Sequence, residues 1–261
     1  MKIFAVANQK GGVGKTTTCI NVALAATEAG LRVLIVDFDP MGNLSAVFRA
    51  TGSHAGEAST ASQMFTADAV IVPETLSPGF AIIRKDELMK QLPTNDSRLA
   101  AIPASNFRQL KNQFDLCIID TPGALGDNVP TTSAALIAAH AVACPFGVGV
   151  LEADPFRELW AHLQKVIAGG VNPQLRVLGL IPSKVNPKSK TERKAIDDLR
   201  QHPAVKKYIT PFTLFERASV KQSVSLRKPV WRGVRGAGHK TAADEWKVAT
   251  QFILTQLEVL K

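Results

Sequence analysis

The chain has 261 residues, 46% of them hydrophobic, which is enough for one large α/β domain with a sizeable core. No apolar run approaches the ~20 residues of a membrane span, and the three cysteines are too widely spaced for a C-x-x-C motif. The net charge is +9, but residues 1–130 carry 11 basic and 12 acidic side chains, whereas residues 131–261 carry 20 and 10. This asymmetry indicates a polyanionic partner for the second half.

Apolar runs alternate with helical patterns along the chain. The predicted strands are 2–7, 31–39, 114–120, 141–146, 175–183 and 207–210, with GFAII (79–83) as an edge strand. The predicted helices are 16–30, ending at Gly30, then 97–113, 130–140, 155–168, 189–201, 216–226 and 240–260. Apolar strands without alternation favour a parallel sheet covered on both faces. We therefore expect one α/β domain over 1–261, with a doubly wound, mostly parallel sheet like that of P-loop NTPases. Residues 51–80 are predicted to be a connection that contains a short helix.

The stretch NQKGGVGKTTT (8–18) lies between the first strand and the first helix. Glycines allow a tight turn whose backbone N–H groups face phosphate oxygens, and the helix N-terminus adds partial positive charge. Lys15 is positioned to neutralise the β- and γ-phosphates, and the Thr16 hydroxyl can ligate Mg²⁺. The sequence thus predicts a site for nucleotide phosphates with Mg²⁺. Its phosphate-binding residues are Gly11, Gly12, Val13, Gly14, Lys15, Thr16 and Thr17.

Two later strands end in aspartate. VDFDPMGN (36–43) supplies Asp37 and Asp39, and CIIDTPG (117–123) supplies Asp120. Because ligands of open α/β sheets lie at the carboxyl ends of the strands, these carboxylates belong beside the phosphates. Thr16, Asp39 and Asp120 are the predicted metal group, with Asp120 acting through the water shell that Mg²⁺ retains.

The loop K-G-G-V-G-K-T and the D-x-D-P-x-G-N segment resemble those of the ParA/MinD family of ATPases, although Met41 stands where the family typically has glutamine. The resemblance implies that Lys10 reaches across a dimer interface to the other subunit's phosphates, and that Asp39 orients the attacking water. Lys10, Lys15 and Asp39 are then the catalytic residues of a slow ATPase that closes into a homodimer when ATP binds. The resemblance also places adenine beside Lys184 and Pro211, after two late strands.

Residues 184–240 contain 15 basic and 4 acidic side chains. Aromatic residues are sparse there, which disfavours stacking on single strands and favours non-specific binding to duplex DNA through phosphates. The region resembles plasmid-partition ParA proteins of the IncC type, in which a proline, an arginine and a PVW triplet recur. The predicted DNA-binding residues are Lys188, Lys190, Arg193, Arg217, Lys221, Arg227 and Lys228.

Three functions fit this resemblance. The first is a DNA-partition ATPase, cytoplasmic and nucleoid-associated, that a ParB-like centromere-binding or adapter protein stimulates. The second is a MinD-like spatial regulator at the membrane, which needs a terminal amphipathic anchor. After residue 243 the chain has two lysines against three acidic residues, so we expect its last helix to pack on the sheet and no membrane to be bound. The third is a ParA-like positioner of protein cargo on the nucleoid.

Overall fold

The computed structural model describes residues 1–48, 58–94, 98–123, 130–148, 153–233 and 236–260. Within these ranges, eight strands form one sheet and eight α-helices lie around it. The strands are β1 (Lys2–Val6), β2 (Val33–Asp37), β3 (Glu74–Ser77), β4 (Phe80–Ile83), β5 (Leu116–Asp120), β6 (Ala141–Phe146), β7 (Arg176–Val185) and β8 (Leu214–Phe215). The helices are α1 (Lys15–Glu28), α2 (Asn43–Val47), α3 (Ile102–Arg108), α4 (Pro130–Ala138), α5 (Ala153–Ala168), α6 (Lys190–Gln201), α7 (Ala218–Ser225) and α8 (Ala237–Gln256).

The sheet has the strand order β3-β4-β2-β5-β1-β6-β7-β8. All neighbouring strands run parallel except β3 and β4, which pair antiparallel. Strands β2, β5 and β6 are buried at every residue, as is expected of strands covered on both faces. The predicted doubly wound, mostly parallel α/β sheet is confirmed.

Each face of the sheet packs against its own helices. On one face, Ile20 of α1 and Trp246 of α8 share a hydrophobic cluster with the sheet. On the other face, Phe107 of α3 and Leu163 of α5 belong to a second cluster. The three cysteines are free and buried. Among the described residues, none of the helices combines the length and the hydropathy that crossing a bilayer requires.

Two strand predictions were wrong in detail. Residues 207–210 contribute only one isolated bridge, from Ile209 to Leu180, and the last strand is β8, which begins at Leu214. The GFAII segment forms β4, which pairs with β2 on one side and β3 on the other, so it is not an edge strand. The edge is β3, in which half-buried and exposed residues alternate, so this strand lacks the apolar run that marks a buried strand. A short 3-10 helix at Ser62–Phe65 matches the predicted short helix, whereas residues 51–57 lie outside the described residues.

The register of the central strands sets up the site. Asp37 at the end of β2 pairs with Asp120 at the end of β5, and Asp120 in turn pairs with Val6 at the end of β1. Because the three strands are parallel, their carboxyl ends open onto the same edge of the sheet. The loop that follows β1 therefore emerges beside two buried carboxyl groups.

Candidate functional site

The loop between β1 and α1 has the backbone geometry of an anion site. Gly12 and Gly14 have φ angles of +76° and +99°, a region that glycine adopts without steric cost. Gly14 is the N-cap of α1 and supplies no side-chain acceptor for the first N–H groups of the helix. These donors and the positive end of the helix dipole are therefore available to a bound anion.

Lys15 is buried at the first position of α1, with a relative exposure of 6%. Its Nζ donates to the carbonyl oxygen of Lys10 at 2.8 Å, so the ammonium lies within the curve of the loop. Burial lowers the pKa of Lys15, while the carboxyl groups of Asp120 and Asp39 act in the opposite direction. Because the ammonium is shielded from water, its electrostatic attraction to a bound phosphate is stronger than that of an exposed lysine.

Asp120 and Thr16 form the part of the site that fits a metal ion. The Thr16 hydroxyl donates to Oδ2 of Asp120 at 2.6 Å, and Oδ1 of this fully buried carboxyl has no hydrogen-bond partner among the described residues. Burial raises the pKa of Asp120 to about 7, although the hydrogen bond from Thr16 opposes the shift. The described residues contain no cluster of three or more His, Cys, Asp or Glu side chains that could enclose a metal. This donor set suits Mg²⁺, which keeps several waters and completes its shell with phosphate oxygens.

The two aspartates that follow β2 have different environments. Asp37 is fully buried and accepts hydrogen bonds from the backbone N–H of Ser45 at 2.7 Å and from its hydroxyl at 2.6 Å. Burial raises the pKa of Asp37 to about 6 against these hydrogen bonds. Asp39 lines the cavity, and its Oδ1 accepts the N–H of Met41 at 3.0 Å. Asp37 thus shapes the turn, whereas Asp39 faces the space where a substrate would lie.

A cavity of about 1000 Å³ is lined by Lys15, Thr16 and Asp39. Its walls include α2, the turn after β5, the end of β7 and the end of α7. At Gly123, an added Cβ would lie 2.8 Å from the backbone nitrogen of Gly11, so the turn after β5 can approach the phosphate loop only because this residue is glycine. The lining residues are Gly11, Gly12, Gly14, Lys15, Thr16, Thr17, Asp39, Pro40, Met41, Asn43, Ala46, Val47, Pro122, Gly123, Lys184, Val224, Ser225 and Arg227.

The two residues predicted to flank adenine differ in position. Lys184 lies near the end of β7 and lines both the large cavity and an adjacent one of about 80 Å³. Phe215, at the end of β8, lines the smaller cavity. Pro211 is exposed and is absent from the described lining of both cavities, because it precedes β8 instead of following it.

Known proteins resemble this chain over most of its length. The family described as AAA domain matches residues 1–177. Protein IncC from Escherichia coli is 31% identical over 267 aligned positions, which cover 99% of this chain and 71% of IncC. The chain belongs to the ParA/MinD family of ATPases.

Two further similarities agree with the family. The chromosome partitioning protein ParA from Caulobacter vibrioides is 29% identical, over 88% of this chain and 86% of that protein. The structure of apo McdA from Cyanothece superposes with a TM-score of 0.81 at 21% identity, covering 97% of this chain and 99% of McdA. A variant of McdA with one aspartate replaced by alanine has also been solved as a complex with ATP. At this identity McdA shows the fold alone.

The chain has a P-loop of the ParA/MinD type, and Lys10 is the lysine that distinguishes this loop. Its backbone N–H donates to Oδ1 of Asn8 at 2.9 Å, and its side chain is half-buried. Asn8 also donates from Nδ2 to the carbonyl oxygen of Pro145 at 2.7 Å, which fastens the loop to the end of β6. Sequence analysis did not identify Asn8, although its place directly before the loop was a usable signal.

Ser45 was also missed. Besides holding Asp37, its hydroxyl accepts the backbone N–H of Lys85 at 3.0 Å, and its carbonyl oxygen accepts Nη1 of Arg84 at 3.0 Å. Nothing in the local sequence marks a serine for this role, since the contacts come from a segment about 40 residues away.

Three of the predicted DNA-binding residues lie close together in sequence on one exposed segment. Lys188 precedes α6, and Lys190 and Arg193 lie in its first turns. Ser189 caps the helix by accepting the N–H of Glu192 at 3.2 Å. The cap fixes where the helix begins and therefore holds these cations on one short stretch of surface.

The other four predicted DNA-binding residues have different surroundings. Arg217 is half-buried and forms a bidentate ion pair with Glu245 of α8, with N–O distances of 3.1 and 2.6 Å. Lys221 pairs with Glu216 at the surface. Lys228 is exposed, whereas Arg227, also exposed, lines the nucleotide-sized cavity.

Proposed function

We propose that this chain is a ParA-type partition ATPase that binds ATP with Mg²⁺ and hydrolyses it slowly. One observation carries the proposal: Lys15, Thr16 and Asp39 line one cavity at the N-terminus of α1, and the Thr16 hydroxyl is bonded to the buried carboxyl of Asp120. The likeness to IncC and ParA supports the use of this ATPase in the segregation of plasmid or chromosomal DNA.

Each part of the cavity has a defined task in this proposal. The N–H groups from Gly11 to Thr17 bind phosphate oxygens, and Lys15 neutralises the β- and γ-phosphates. Thr16, Asp120 and Asp39 hold Mg²⁺, which when bound offsets the negative charge of the phosphates. Asp39 also orients the attacking water. The base lies on the side of Lys184.

Dimerisation follows from the second lysine of the loop. Lys10 lies at the entrance of the loop, and each subunit lends it to the nucleotide of the other, so that the γ-phosphate closes the dimer. The test is size-exclusion chromatography with light scattering on the Asp39→Ala variant, which should bind ATP without turning it over. We expect the 28.0 kDa mass of one chain with ADP and twice that mass with ATP.

Two controls make this experiment decisive. Asp244→Ala removes an exposed carboxylate of α8 and should keep the behaviour of the natural sequence. Lys15→Ala should abolish ATP binding and remain at the mass of one chain. An Asp39→Ala variant that binds ATP and still elutes as a single chain would contradict the face-to-face dimer.

The ATP-bound dimer binds duplex DNA without sequence preference. If the two subunits neutralise ~6–10 phosphates, affinity should fall by a factor of ~10³–10⁵ between 50 and 200 mM salt. Replacing Lys188, Lys190 and Arg193 by alanine should reduce this salt dependence. The matched control replaces three exposed cations that precede the basic region, Lys90, Arg108 and Lys111. An equal loss of DNA affinity in both triple variants would contradict the assignment of DNA binding to Lys188, Lys190 and Arg193.

A ParB-like partner that stimulates hydrolysis completes the proposed cycle. The membrane alternative finds no support in α8, because Trp246, Ala249 and Ile253 on its apolar face are buried against the sheet. Sedimentation with anionic vesicles, set beside a DNA gel shift in the presence of ATP, separates the two functions. Binding to vesicles without binding to DNA would favour the membrane regulator.

A further inference from the structure

Two cations on the wall of the nucleotide cavity have an unusual backbone. Lys184 and Arg227 have φ angles of +53° and +55°. Among the described residues other than glycine, only Asp68 and Glu258 share this left-handed conformation. Side chains with a Cβ rarely adopt it, and such residues tend to occur at functional sites.

The conformation of Arg227 arises at the end of α7. The N–H of Arg227 donates to the carbonyl oxygen of Val224 at 3.0 Å, and the N–H of Lys228 donates to that of Ser223 at 3.0 Å. This is a helix C-terminal turn in which the left-handed position is usually glycine. Glycine would make the same turn without steric cost, so the backbone does not explain an arginine here.

The segment that carries Arg227 is fixed to the helix that begins at the phosphate loop. The N–H of Val230 donates to Oδ1 of Asn21 at 3.0 Å in the core, and Nε1 of Trp231 donates to Glu28 at 2.8 Å. Because Asn21 and Glu28 belong to α1, the position of Arg227 is set relative to the helix whose first turn binds phosphate.

The end of helix α7 lines the same cavity as the phosphate loop and Asp39. Val220 lines the smaller cavity together with Lys184 and Thr17, whereas Val224 and Ser225 line the larger one. Asp39 lines only the larger of these two cavities. In the proposed binding mode the γ-phosphate lies near Asp39 and the base on the side of Lys184, which places the α-phosphate and ribose between them, in the cavity that Arg227 also lines.

We propose that Arg227 is a nucleotide-positioning residue, and that its guanidinium binds the α-phosphate and ribose instead of DNA. The inference rests on the proposed ATP binding. An arginine fork suits phosphate oxygens, and the described residues provide no ion-pair partner for Arg227. Since ADP and ATP share the α-phosphate and ribose, the contact should serve both nucleotides equally.

The test measures ATP and ADP affinities by calorimetry for the full chain and its variants. Arg227→Ala should weaken both nucleotides by the same factor, roughly tenfold, and Arg227→Lys should recover part of the loss. Arg108→Ala makes the same change in charge at an exposed site on α3 and should bind like the natural sequence. Unchanged affinities, or a loss confined to ATP, would overturn the assignment. Failure of the natural sequence itself to bind ATP would instead refute the proposed function.

Arg227→Gly separates a binding role from a structural one. Glycine removes the guanidinium and relieves the backbone, so we expect an unchanged or higher Tm together with the same loss of affinity as Arg227→Ala. A lower Tm with full ATP affinity would mean that the side chain serves the fold, and would overturn the proposal. At saturating ATP, Arg227→Ala should bind DNA within about twofold of the natural sequence. A loss of DNA affinity equal to that of Lys190→Ala would mean that Arg227 binds DNA, and would contradict the proposal.

Discussion

Replacing Arg217 by alanine should mainly destabilise the fold, and any effect on DNA binding should be secondary. Its guanidinium donates to both carboxylate oxygens of Glu245, and the two side chains are only 21% and 15% exposed. Exposed ion pairs contribute ~0.2–1 kcal/mol, whereas breaking a buried pair costs ~3–5 kcal/mol. For this intermediate burial we expect a loss of about 2 kcal/mol, which for a chain of this size lowers Tm by roughly 4–8 °C.

The assay is thermal unfolding of Arg217→Ala, Glu245→Ala and the double variant. A coupling energy of about 1–2 kcal/mol from this cycle would measure the pair itself. Lys221→Ala is the comparison, because its pair with Glu216 is at the surface and should contribute less than ~1 kcal/mol. If Arg217→Ala melts like the natural sequence yet loses DNA affinity, the structural reasoning is wrong and Arg217 contacts DNA directly.

Two further outcomes are expected. Gly123→Ala should weaken ATP binding roughly tenfold, because the new Cβ meets the backbone of Gly11 and displaces the phosphate loop. Gly238→Ala is the control, because an added Cβ there meets no atom within 4 Å, and it should leave ATP binding unchanged. Equal ATP affinities of the two variants in a calorimetric titration would contradict the predicted clash at Gly123. The pKa of His140 is lowered by burial, and its Nδ1 accepts the N–H of Ile3. At His140 the unfolded chain therefore binds more protons, so the contribution of this residue to stability should be full above ~6.5, the usual pKa of histidine, and fall as the pH drops through it. The raised pKa values of Asp37 and Asp120 act in the opposite direction below pH 7, so the contribution of His140 is measured as a difference between variants. His140→Asn keeps an acceptor and should remove this contribution, so the Tm of the variant should rise relative to that of the natural sequence as the pH falls below ~6.5. A Tm difference that does not change with pH would exclude the contribution of His140.

The parallel core of the sheet could be predicted because its strands are unbroken apolar runs. Strands β1, β2, β5, β6 and β7 all lie where their sequences indicated. Strand β3 lacked that signal, since none of its four residues is buried. It belongs to the sheet because it pairs with β4. Strand β8 has only two residues, too few to show any period. Tertiary pairing decides such strands, and a local pattern does not contain it.

The phosphate loop and the carboxylates could be predicted because the order of the elements fixes them. Asp120 meets Thr16 across 104 residues because parallel strands align their ends, which follows from the topology alone. The order of the elements does not show which basic residues of the second half form ion pairs, line the cavity or face solvent. The partner of Arg217 is 28 residues further along, and the cavity wall at Arg227 depends on how α7 ends. Both depend on the packing of α7 and α8, which a count of basic residues does not reveal.

The hydrogen bonds that Val230 and Trp231 donate to Asn21 and Glu28 have a mechanical consequence for the proposed nucleotide switch. In the proposed cycle they would restrict movement between α1 and the neighbouring Lys228, so that one subunit would present much the same basic surface with either nucleotide. ATP would then raise DNA affinity through valency, because two weak surfaces joined in one particle can gain ~10²–10⁴ in avidity over either alone. The nucleotide would set how many surfaces act together and leave the shape of each unchanged.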